Sequence, residues 1–182
     1  MGYSKLPDDY KLVWSGDFKE NKKLYKLINY GTLILLIPFL VIYFVFIYKI
    51  DTFGKNFLIS FLLFIPVIVI HELIHGIFFK MGKNVKIKFG FHGFAASCSA
   101  PNSYLKKRHY LMVGMAPAVI INIGLIISLI FVKGDLFEIL YLVLAFHFTG
   151  CIGDFYICGK LLKQPQDVLI RDYGIGMEFY SR

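Results

Sequence analysis

Apolar and polar positions in this chain fall into long blocks, not short alternations. Four nearly unbroken hydrophobic runs, roughly Gly31 to Ile47, Phe57 to Phe79, Tyr110 to Val132 and Leu136 to Ile157, are separated by polar, lysine-bearing segments. At 1.5 Å per residue, each run wound as a helix is long enough to cross a hydrocarbon core of about 30 Å. The pattern predicts an all-α integral membrane protein with four transmembrane helices. It divides the chain into a cytosolic N-terminal segment (1–30), a four-span membrane domain (31–162) and a cytosolic C-terminal tail (163–182). Leu24, Leu27 and Ile28 have helical spacing, which predicts that the end of the first segment lies against the membrane surface. That segment is too long and too acidic at its start for a signal peptide, so the first span is expected to be retained.

One stretch departs from the block pattern. Between the second and third runs, Val85, Ile87, Phe89 and Phe91 alternate with Lys86, Lys88 and Gly90, and Gly93 follows. This is strand periodicity with a glycine available for a turn, and it allows a small β-hairpin on the cytosolic side. An interfacial loop is the other reading. A hairpin there could hold an unwound substrate as an added strand.

Charge orients the spans. Lys and Arg are concentrated before run one and between runs two and three (Lys80, Lys83, Lys86, Lys88, Lys106, Lys107, Arg108), while the other two connections are short and nearly balanced. The positive-inside rule places both termini in the cytosol and the chain in the cell membrane as a multi-pass protein. Composition agrees: 57% of residues are hydrophobic and the mean hydropathy is +0.64. The net charge of +8 flanks the apolar runs and forms no separate basic patch, so nucleic acid is not the expected partner. Cys98, Cys151 and Cys158 lack the spacing of a disulfide framework and are expected to be free thiols.

The second run contains His71-Glu72-Leu73-Ile74-His75. Histidines four apart share one helix face and can reach one metal ion, with the Glu beside the first placed to act on metal-activated water. Ionisable residues inside a span are costly and mark function. A hydrolytic zinc site needs a third protein ligand, and depth selects among candidates. Counting 1.5 Å per residue from the outer ends, His71 lies about 21 Å down, His75 and Asp154 about 27 Å and His147 only about 17 Å. Asp154 therefore matches the motif, and His147 stands one to two turns too shallow. His147, Cys151, Asp154 and Cys158 share one face of the fourth helix. His147 is read there as a buried or supporting histidine, and the two cysteines as core. His92 and His109, outside the spans, read as surface histidines. Asn122, alone in the apolar third run, reads as an interhelical hydrogen-bonding residue or a substrate-backbone contact.

These residues resemble the site-2 protease class of intramembrane zinc metalloproteases, and more closely a bacterial membrane family of zincin peptidases. The resemblance runs through His71 to Gly76, Ser99-Ala100-Pro101, Ala116-Pro117 with Asn122, Gly153-Asp154 and the stretch from Pro165 to Gly176. It implies an Asp on a later helix as third ligand, hence Asp154. In the site-2 class Gly follows that Asp, whereas here it precedes it.

The expected function is a zinc-dependent intramembrane or membrane-associated endopeptidase. Zn²⁺ would be held by His71, His75 and Asp154, with Glu72 as general base, and the substrate would be a membrane-embedded or membrane-adjacent protein. The alternative is a non-catalytic metal-dependent scaffold or metal-ion carrier using the same ligands. A carrier needs a polar route across the bilayer, and the outer halves of the runs are almost wholly apolar.

Overall fold

The computed structural model describes residues 2–17, 20–82, 85–92 and 95–182. Helix α1 (Lys22–Ile42) opens on Asn21, whose side chain accepts from the Leu24 amide at 3.0 Å and so satisfies a first-turn N–H. Leu24, Leu27 and Ile28 form its first turns and do not make a separate surface segment. The helix continues through a π-helical turn, Tyr43–Ile47. Helices α2 (Phe53–Lys80), α3 (Lys107–Phe131), α4 (Asp135–Gly150) and α5 (Ile152–Leu162) follow.

Three helical stretches, Lys22–Ile47, Phe53–Lys80 and Lys107–Phe131, are long and apolar enough to cross a membrane. The predicted fourth span is broken. Helices α4 and α5 meet at Cys151 with a bend of 40°, and only the pair taken together has the length of a crossing. Gly150 and Gly153 flank the break, where their low helix propensity lowers the cost of interrupting the ladder. The large apolar residues of α1, α2 and α3 face outward, among them Leu33, Ile34, Ile37, Phe57, Phe61, Ile65, Ile123 and Ile130. A soluble protein would cover such a belt; left outward, it is compatible with a membrane protein.

The all-α expectation gives way to a mostly helical chain with an antiparallel sheet. Strands β1 (Gly2–Tyr3), β2 (Lys11–Asp17), β4 (Ala95–Lys106), β5 (Leu169–Asp172) and β6 (Gly176–Ser181) run in the order β1-β4-β5-β6-β2, and β3 (Lys88–His92) pairs with β4 alongside. The alternation from Val85 to Phe91 becomes a strand only from Lys88. It is matched to β4 in the register Lys88 with Ser99 through His92 with Ala95, while Gly93 lies outside the described residues. The segments read as a plain N-terminal stretch and tail are neighbours, with Lys11 opposite Ser181 and Asp17 opposite Gly176.

This sheet sits on one end of the helices. Leu105, Ile170, Met177 and Phe179 from the strands, with Val168 just before β5, bury against Phe79, Tyr110, Val113, Ile157 and Leu161 from α2, α3 and α5. Two glycines set the distances. A Cβ on Gly76 would stand 3.3 Å from both Ile87 Cδ1 and Phe89 Cζ, so the hairpin lies directly on α2 one residue past His75. A Cβ on Gly114 would stand 2.6 Å from Cys158 Sγ, so α5 lies against the backbone of α3. At the far end of the bundle, buried Glu138 of α4 accepts from Tyr43 Oη at 2.6 Å, Asn56 Nδ2 at 2.7 Å and Thr52 Oγ1 at 3.3 Å, which ties three segments together.

Candidate metal centre

His71 and His75 occupy successive turns of α2 and point the same way, as i, i+4 spacing requires. His75 is buried, and its Nδ1 donates to the Val113 carbonyl of α3 at 2.9 Å. A carbonyl can only accept, so the proton is on Nδ1 and His75 Nε2 carries the lone pair. That lone pair is aimed at His71 Nε2, 3.0 Å away.

Asp154 completes the group. Its Oδ2 lies 3.3 Å from His71 Nε2 and its Oδ1 lies 3.6 Å from His75 Nε2. The break at Cys151 is what delivers it: Asp154 stands in the first turn of α5, not inside one continuous apolar helix, and the positive end of that helix favours a carboxylate. Donor atoms at about 2.0–2.1 Å from a tetrahedral zinc are about 3.3 Å from one another. The three separations here bracket that value. Two imidazoles and a carboxylate are also a donor set that zinc accepts, so these residues fit the ion.

Glu72 faces the same cleft, which has a volume of about 300 Å³. Cys98 of β4 lines the cleft beside it. The strand lining the cleft is β4, through Ala96, Ser97 and Cys98; none of Val85 to Phe91 lines it, because Ile87 and Phe89 are spent packing on Gly76. Burial, with the Glu72 carboxylate as second cause, pushes the Cys98 thiol up to about 12.

The rest of the lining includes residues the sequence pattern did not single out: Tyr110, Asp172, Gly174 and Met177. Tyr110 Oη donates to Asp172 Oδ2 at 2.6 Å, and the Gly174 amide donates to Asp172 Oδ1 at 2.9 Å. Burial holds the Asp172 carboxyl above the usual carboxylate range, against the pull of those two hydrogen bonds. The signal available in the sequence was Asp172-Tyr173-Gly174, an Asx-turn pattern; Gly174 has φ of +92°.

His147 is not too shallow to reach the motif. Its Nε2 is 3.1 Å from His71 Nδ1, because His71 is the upper of the two histidines and the rings span the remaining difference in height. Its Nδ1 lies 2.8 Å from Asn122 Oδ1. His71, His147 and Cys151 form a second group close enough to share an ion among the described residues. Cys151 Sγ donates to the His147 carbonyl at 3.1 Å, so its proton is engaged. His109 is buried, with Nε2 donating to Phe78 O at 2.7 Å, and is not a surface histidine. The side chain of His92 lies outside the described residues.

A protein-family model described as "Putative zincin peptidase" matches residues 64–169, more than half of the chain. The chain belongs to that family. The zincin match starts midway along α2, carries both histidines, Glu72 and Asp154, and ends on the first residue of β5. Membership points to a zinc metallopeptidase. No curated protein and no solved structure matches the chain.

Proposed function

We propose that this zincin is a site-2 protease-like endopeptidase of the cell membrane that cleaves peptide bonds within or beside the bilayer. The observation that carries this reading is the convergence of His71 Nε2, His75 Nε2 and Asp154 within 3.0–3.6 Å of one another, in a cleft that also presents Glu72. His71, His75 and Asp154 hold the zinc. When bound, the ion supplies Lewis acidity, which polarises a carbonyl and makes water nucleophilic near neutral pH. Glu72 takes the proton of the attacking water on its carboxylate and returns it to the leaving amine nitrogen. Ala96, Ser97 and Cys98 line the cleft along which an unwound substrate segment lies, with Asp172 and Gly174 beside them.

The sheet supports a four-span topology. Its strands precede α1, lie between α2 and α3, and follow α5, yet pair with one another. All three segments are then on one side of the membrane, so α1 with α2 makes two crossings, and α3 with the bent α4–α5 pair makes two more. The lysines that flank these segments support a cytosolic location for that side and for both termini.

The test compares wild type with Glu72→Gln, each reconstituted into vesicles carrying membrane proteins of a host cell, by sequencing newly formed N-termini. Wild type is expected to generate termini in or near membrane segments, and Glu72→Gln to lose at least about 100-fold in their rate of formation. Identical termini in both samples would overturn the protease reading.

A further inference from the structure

Asn122 is the one polar residue in the central part of an otherwise apolar α3, and His147 is buried between it and the metal ligands. Asn122 Oδ1 is an acceptor, so His147 Nδ1, 2.8 Å away, carries the proton and donates to it. The lone pair of neutral His147 is then on Nε2, which stands 3.1 Å from His71 Nδ1. His71 must in turn carry its proton on Nδ1, leaving its own lone pair on Nε2. That is the nitrogen 3.0 Å from His75 Nε2 and 3.3 Å from Asp154 Oδ2.

We infer that Asn122 and His147 form a relay of positioning residues that fixes the tautomer and ring orientation of His71, so that its Nε2 is presented to the metal. His75 reaches the same state by a shorter route, through the Val113 carbonyl. The asymmetry follows from position: His75 meets the Val113 carbonyl of α3, which lacks its usual helical partner because Pro117, four residues on, has no N–H, while His71 meets the His147 side chain of α4. Both relay residues are almost fully buried, 5% exposed for Asn122 and 3% for His147, so water does not take their place. The relay also accounts for the second possible ligand group, His71, His147 and Cys151. His147 Nε2 is engaged by His71, and Cys151 Sγ donates to the His147 carbonyl.

The inference rests on the zinc reading of the His71, His75 and Asp154 site, and its test separates the two. Zinc dissociation constants are measured by chelator competition on the purified full-length chain in detergent, with elemental stoichiometry at saturating zinc and the cobalt(II) absorption spectrum beside it. His147→Phe and Asn122→Leu are expected to bind one zinc per chain at saturation with affinity weakened about 10- to 100-fold, the range for loss of a hydrogen-bond partner behind a metal-bound histidine. His147→Gln supplies an amide oxygen to accept from His71 and an NH₂ to donate to Asn122, and it is expected to stay within about threefold of wild type. That rescue separates positioning from mere filling of space. Wild-type affinity in His147→Phe would overturn the relay and leave the zinc site standing. A thiolate charge-transfer band in the cobalt spectrum of wild type, lost in Cys151→Ser, would overturn it by putting the metal among His71, His147 and Cys151. Absence of zinc from wild type would remove the metal site itself, and with it the relay's purpose.

Discussion

At the scale of single residues, the site works by leaving lone pairs with nowhere else to go. Val113 O accepts a hydrogen bond from His75 Nδ1–H, and the nitrogen that remains faces another imidazole at 3.0 Å and a carboxylate at 3.6 Å. Lone pairs so arranged repel one another until a cation lies between them. Cys98 shows the opposite design, a group made inert by its setting. With its thiol pushed up to about 12 by burial and the neighbouring Glu72, only about one part in ten thousand is thiolate at pH 8. Native protein is expected to leave Cys98 unmodified by iodoacetamide at pH 8 over hours and to react fully once denatured, read by mass spectrometry. Prompt alkylation of the native protein would show that the cleft is more open than described. The HExxH residues and Asp154 are legible in the sequence because charge in an apolar run stands out. Tyr110 and Asp172 are not, since an Asx-turn pattern at Asp172 says nothing of the cleft and their pairing spans 62 positions.

Among the elements, α5 carries Asp154 and is held against α3 by an absent side chain. Gly114→Ala would bring a methyl group to 2.6 Å from Cys158 Sγ and drive the helices apart. The expected cost is about 1–3 kcal/mol, seen as a lowered thermal unfolding midpoint in detergent. Adding Cys158→Ala removes the opposing sulfur, so the double variant should recover part of that loss, a non-additivity expected of residues in contact. Additive losses would mean that the two helices do not meet at Gly114. The long helices are legible because hydropathy is a local property of the sequence. The break in the fourth span is hidden inside unbroken hydropathy, and only the glycines at 150 and 153 hint at it. The sheet escapes for a different reason. Strand β5 has four residues, three of them buried, so it shows no alternation, and β2 finds its partner β6 from the other end of the chain.

For the molecule as a whole, a sheet gathered from three separated segments demands an even number of crossings between them. Single cysteines replacing exposed Lys5 and Lys163 should react with an impermeant maleimide from the same, cytosolic, face of sealed vesicles, and those replacing exposed Lys49 and Lys133 from the other. Lys5 and Lys163 labelling from opposite faces would break the four-span topology. Charge bias in the sequence already points to this arrangement, because orientation depends on where lysines flank the spans and not on how the strands pair. A metal held by His71, His75 and Asp154 would tie α2 to α5 across that bundle. Elemental analysis of detergent-purified wild type, Glu72→Gln and Asp154→Ala tests this most directly. About one zinc per chain is expected in the first two and its loss in Asp154→Ala, since that residue supplies a ligand while Glu72 does not. Zinc retained in full by Asp154→Ala, or no zinc in wild type, would contradict it.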